Sequence, residues 1–160
     1  LHTNNAIGII PRLLDMGIEP YLLPSALSLM EAQRLVGRLC DACKKAEPAT
    51  AEMSAVVEQE LAALPKSAQS LIPQKKPFSV YRAEGCDACN HKGVVGRVGM
   101  FEIFSATPEI RALIHKHADT EAFLAETKRQ GMITMRQDGI IKALNGIVSM
   151  EEVLRETKEE

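Results

Sequence analysis

The chain has 160 residues and a formal net charge of −2, with 46% hydrophobic and 25% charged residues, the proportions of a soluble globular protein of one or two small domains. No apolar run approaches the ~18–20 residues of a membrane span, and the weak negative charge argues against general nucleic-acid affinity. The first residue is Leu1, not Met, so the chain is expected to be a piece of a longer protein.

Ile7, Ile10, Leu13 and Leu14 form a helical stripe that should close at Gly17, with Pro11 putting a start or kink just before it. Pro20 and Pro24 punctuate the next connection. Residues 25–32 read as a short helix, and 33–39 as a strand that delivers Cys40. Thr50 predicts the N-cap of a helix carrying Met53, Val56, Val57, Leu61 and Leu64, which Pro65 stops. The stretch 66–77 reads as a loop and 78–82 as a strand leading to Cys86. The glycines of Gly93-Val94-Val95-Gly96-Arg97-Val98-Gly99 resemble a phosphate cradle. The Gly-Lys-Ser/Thr ending of a P-loop is absent here and throughout the chain, so this reads as a turn into a strand over 97–104. Thr107-Pro108-Glu109 opens a helix through Ile110, Leu113 and Ile114, and a second helix runs about 120–130 to Gly131. Thr134 to Gln137 and Ser149 to Glu152 have the spacing of capping boxes, the second flanked by Val148 and Val153 as a hydrophobic staple. His115 and His117 complete no metal-ligand spacing and read as surface or capping residues near a helix C-terminus.

All four cysteines fall in two identical tetrads, Cys40-Asp-Ala-Cys43 and Cys86-Asp-Ala-Cys89. Two Cys-x-x-Cys loops supply four thiolates at tetrahedral geometry, the ligand set of a closed structural Zn²⁺ site with no open position for catalysis. The 42-residue insert, 44–85, is longer than the usual spacer. That excess costs about 0.8 kcal/mol at ~0.6 kcal/mol per doubling, against the 10–16 kcal/mol on the order of which a structural zinc contributes. Zinc is therefore the expectation. An iron–sulfur cluster and free or redox thiols stay open beside it, while disulfides lack the oxidising context.

Several stretches together resemble the C-terminal part of the type IV pilus assembly and type II secretion ATPases, hexameric RecA-like motors. They are Leu1-His2-Thr3-Asn4, Arg12 to Pro20, Ala32 to Val36, the two cysteine pairs, Gly96-Arg97-Val98-Gly99-Met100-Phe101-Glu102 and Gly131 to Gly139. The four-cysteine insert points to the assembly and secretion branch, since the related retraction motors lack it. The resemblance implies an α/β fold: the C-terminal portion of a RecA-like P-loop NTPase domain, with an inserted tetracysteine zinc module and a helical C-terminal subdomain. The implied segments are 1–39, the end of the ATPase domain; 40–96, the zinc module with Cys40, Cys43, Cys86 and Cys89; and 97–160, a strand plus helices.

It also implies that the Walker motifs lie upstream, so that ATP and Mg²⁺ belong to the full-length protein and this piece alone is inactive. His2 matches the second histidine of a histidine box near the terminal phosphate, and Arg34 could serve nucleotide-state coupling. Val94-Val95 departs from the family's aromatic and basic pair at that turn. The implied partners are five further copies in a hexamer and an inner-membrane platform protein, with a cytoplasmic location at that membrane and neither nucleic-acid binding nor membrane insertion. The competing expectations are a zinc-ribbon nucleic-acid-binding module and a purely structural interaction module. The helices after Pro108 are expected to hold on their own caps, separately from the cysteine module.

Overall fold

In the computed structural model, which describes residues 3–73 and 76–158, the chain is mixed α/β. It runs through α1 (Ile9–Asp15), α2 (Leu23–Ala26), β1 (Leu29–Leu39), β2 (Lys44–Pro48), α3 (Ala51–Ala62) and a 3-10 turn at Lys66–Leu71. It continues through β3 (Ser79–Ala83), β4 (Val94–Ser105), α4 (Pro108–His115), α5 (Thr120–Gln130), α6 (Met135–Leu144) and α7 (Met150–Glu156). β1 pairs with β4, and β2 pairs antiparallel with β3 in the register Lys45↔Arg82 and Glu47↔Val80.

The chain divides into two units, each discontinuous in sequence. One holds the segment up to Gln33 with Phe101–Thr134; the other holds Arg34–Met100 with the segment from Met135 onward. Both long strands contribute to both units. These units do not coincide with the segments 1–39, 40–96 and 97–160, because α6 and α7 share a unit with the cysteines while α4 and α5 do not.

In the first unit, α1 begins two residues before Pro11, which sits in the first turn where its missing N–H has no helical partner. Ile7, Ile10, Leu23, Met30, Phe104, Ile110, Ile114 and Phe123 are buried there. Glu102 is buried too, and its carboxylate accepts from the backbone N–H of Ala6 at 2.9 Å. Thr107 caps α4 and Asp119 caps α5 through their side-chain oxygens, and Gly131 closes α5 at φ 80°. His117 takes a left-handed φ of 50°. Its N–H donates to Ile114 O and that of Ala118 to Leu113 O, so it ends α4 in the position glycine usually fills.

The expected helix over 25–32 is not formed. α2 stops at Ala26, and β1 starts at Leu29 with alternating burial through Met30, Ala32 and Val36. Leu29-Met30-Glu31-Ala32 are good helix formers by propensity, but burial on alternate residues outweighs a preference worth a few tenths of a kcal/mol each, on the order of the helix scale.

In the second unit, Val57, Leu64, Phe78, Val80, Met100, Ile140, Leu144, Val148, Met150 and Val153 form the core. Thr50 Oγ1 accepts from Met53 N–H, as the N-cap reading requires. Ser149 likewise caps α7 by accepting from Glu152 N–H, but the Glu152 carboxylate does not return to Ser149; it accepts from the N–H of Gly37 on β1 at 3.0 Å. Gly139, in the middle of α6, is packed so closely that a Cβ there would lie 2.6 Å from both Met100 Sδ and Val153 Cγ1.

Candidate metal centre

Each cysteine pair closes a tight turn made by its own backbone. In the first, the N–H groups of Cys43 and Lys44 both donate to Cys40 O, at 3.3 and 2.9 Å. In the second, Cys89 and His91 donate to Cys86 O at 3.1 and 2.9 Å, and Asn90 and His91 follow with left-handed φ values of 51° and 58°. The two turns are joined where Cys40 N–H donates to Gly93 O at 2.9 Å. Gly93 is at φ 72°, and a Cβ there would lie 2.6 Å from Ala83 O, so only glycine lets the chain pass.

The four sulfurs come within 4.8 Å of one another, and Cys40–Cys86, Cys43–Cys89 and Cys86–Cys89 are each 3.9 Å apart. A disulfide would need about 2.05 Å. Four sulfurs at ~2.3 Å from one central ion define a tetrahedron with an edge of about 3.8 Å. The spacing matches that tetrahedron, so the residues fit a single metal ion. The thiols are not equivalent. Burial pushes Cys43 up to about 12, whereas backbone N–H donation from Cys86, and then from Gly93, draws Cys89 down to about 6. Cys89 Sγ accepts from Cys86 N–H at 3.1 Å and from Gly93 N–H at 3.2 Å, donors that stabilise a thiolate. A cation entering the site would expel the proton that Cys43 retains.

Around the cysteines the charges pair off. Asp41 takes both Arg38, at 3.1 Å, and Lys44, while Lys45 meets Glu84 at 2.9 Å. The Arg38–Asp41 and Lys45–Glu84 pairs are exposed and contribute little to stability individually, whereas the Lys44 side chain is largely covered. Lys44 does more than pair: its Nζ donates to Gly146 O at 2.9 Å, beyond the end of α6, and lies 6.0 Å from the centre of the Tyr81 ring. Nothing in the sequence pattern singles out Lys44 or Tyr81, although Asn145-Gly146 is a turn signal that marks the place they meet.

Of the residues picked out by sequence, the four cysteines come together. Arg34 is elsewhere on β1, where its Nη1 donates to the carbonyl of Glu156 in the last turn of α7. His2 lies outside the described residues. His115 and His117 sit at the end of α4, apart from any metal-ligand cluster among the described residues. No helix among the described residues is long and apolar enough to cross a membrane.

Over residues 1–155 the sequence matches the profile of a family described as Type II/IV secretion system protein. It is 40% identical, over 99% of its length, to the Type II secretion system ATPase E of Vibrio cholerae. The Type II secretion system protein E of Aeromonas hydrophila is 42% identical over the whole chain, and the Type IV pilus assembly ATPase PilB of Myxococcus xanthus 38% identical over 98% of it. The chain spans only 29%, 29% and 26% of these three proteins.

Proposed function

Because the chain belongs to the type II/IV secretion system protein family, we propose that it is the C-terminal part of a motor ATPase that powers type II protein secretion or type IV pilus assembly. The observation that carries this reading is the match of nearly the whole chain, at about 40% identity, to ATPases of both systems. The nucleotide machinery belongs to the upstream part of such a protein, since no P-loop lysine occurs here. The segment 1–39 then completes a RecA-like ATPase domain, 40–96 forms a zinc module, and 97–160 adds a strand and helices. Within a hexamer working on ATP and Mg²⁺, His2 faces the terminal phosphate. Arg34 links the nucleotide state to α7, whose last-turn carbonyl it holds. The motor works at the cytoplasmic side of the inner membrane, against a platform protein embedded there.

Cys40, Cys43, Cys86 and Cys89 hold one structural Zn²⁺. The 3.9 Å sulfur spacing supports a single ion and leaves no room for a multi-iron cluster. The ion supplies cross-linking only, because four protein ligands close its coordination sphere. Chemistry stays upstream.

The test compares this chain with the whole protein. The chain alone should not accelerate ATP hydrolysis, and restoring the upstream part should produce turnover. Cys86→Ser in the whole protein should impair export or pilus extension more than nucleotide binding. Turnover by the bare chain that a substitution within it abolishes would overturn the assignment. So would a Cys86→Ser protein that loses ATP binding but still supports export.

A further inference from the structure

The residues on either side of the first cysteine pair grip consecutive carbonyls of one turn. Leu39, just before Cys40, donates its N–H to Ile147 O at 2.8 Å; Lys44, just after Cys43, donates Nζ to Gly146 O at 2.9 Å. Asp41, inside the pair, holds the same ammonium. Tyr81 backs the arrangement: a Cβ on Gly146 would meet its ring carbons at 2.9–3.0 Å. The turn so gripped joins α6 to α7.

We propose that Lys44 is a positioning residue of the metal centre, and that it couples occupancy of the site to the packing of the α6–α7 hairpin. The proposal rests on the reading that the four thiolates hold a metal. A bound ion fixes Cys40 and Cys43 relative to each other, and with them the separation of the two grips. Without the ion, that loop is closed by two backbone hydrogen bonds onto Cys40 O. Gly146 and Ile147 are adjacent, so a change in the spacing of the grips has to be taken up by the Lys44 side chain, by the turn itself or by loss of one grip. The hairpin also holds the strand that carries Cys40, because Glu152 accepts from Gly37 N–H and the Glu156 carbonyl accepts from Arg34. Metal, turn, α7 and β1 therefore form a closed circuit. Linkage makes the coupling reciprocal: whatever fixes α6–α7 raises metal affinity by the factor by which the metal favours the fixed hairpin.

The experiment loads the 160-residue chain with Zn²⁺ and follows its transfer to a chromogenic chelator. Lys44→Met should release zinc about tenfold faster, the scale on which outer-shell partners act on a metal site. Lys45→Met removes the same charge one residue further on, from a side chain held by Glu84, and should release zinc at the unsubstituted rate. A purely electrostatic effect would move both variants alike. In the unsubstituted chain, amide exchange in α6 and α7 should quicken when zinc is stripped, and Lys44→Met should shrink that difference. Equal release from the two variants, or α6–α7 exchange indifferent to zinc in the unsubstituted chain, overturns the coupling. A chain that takes up no stoichiometric Zn²⁺ overturns the metal reading on which it rests.

Discussion

Gly139 shows how much a single missing methyl can decide. A Cβ in the middle of a helix gains about 1 kcal/mol over glycine, but overpacking a core costs about 1–3 kcal/mol. Here both neighbours, Met100 and Val153, are fully buried and only 2.6 Å from the added atom, so neither can step aside into solvent. Gly139→Ala should therefore lower the melting temperature, by a net loss of up to about 2 kcal/mol; a raised value would mean that α6 can shift. Glu126 acts through charge. Its carboxylate takes Arg129 at 2.6 Å and also receives Gln130 and the Thr107 hydroxyl that caps α4, and the guanidinium holds its pKa below the usual 4.5. A depressed carboxylate pKa stabilises the fold above 4.5 and ceases to as pH falls through the lowered value. The difference in melting temperature between the native chain and Glu126→Gln should be largest near neutrality and shrink below pH 4.5. A gap that widens in acid would contradict this.

Elements that carry their own punctuation form where the sequence places them. Thr50, Thr107 and Ser149 each accept the expected backbone N–H, and α5 ends at Gly131. Thr50→Ala should cost α3 about 1 kcal/mol, seen as a lower denaturant midpoint at unchanged slope. Elements that owe their form to distant partners are harder to read. Leu29–Gln33 is a strand because β4 lies beside it, against a helical composition. β2, Lys44–Pro48, has no apolar alternation at all: four of its five residues are exposed, and it extends because β3 pairs with it. The cysteine set was legible because its chemistry requires a fixed local spacing. The grips on Gly146 and Ile147 were not, because they join residues about a hundred positions apart with no local signature. Glu152 illustrates the same limit. Its spacing from Ser149 correctly marks a helix start, while its carboxylate serves Gly37, 115 residues away.

At the scale of the whole molecule, the two units should answer differently to loss of metal. Chelation should raise amide exchange in β2, β3, α6 and α7, which share a unit with the cysteines, and leave α4 and α5 protected by their own caps and the buried Ile110, Ile114 and Phe123. Loss of protection in α4 and α5 to the same extent would show that one cooperative transition governs the chain. The interleaving of the units also sets an order of events during synthesis. Cys86 follows Cys40 by 46 residues, but Gly146 follows Lys44 by 102 and Glu156 follows Arg34 by 122. At about 5–20 residues per second, all four thiols leave the ribosome several seconds before the helices that brace them. If the four thiolates hold a metal as proposed, the nascent chain captures the ion first, and α6–α7 then docks on a turn the metal has shaped. On that reading, zinc present while the chain is being made reaches the thiols before α6–α7 exists to cover the turn, and its supply during translation bears on how this unit is assembled.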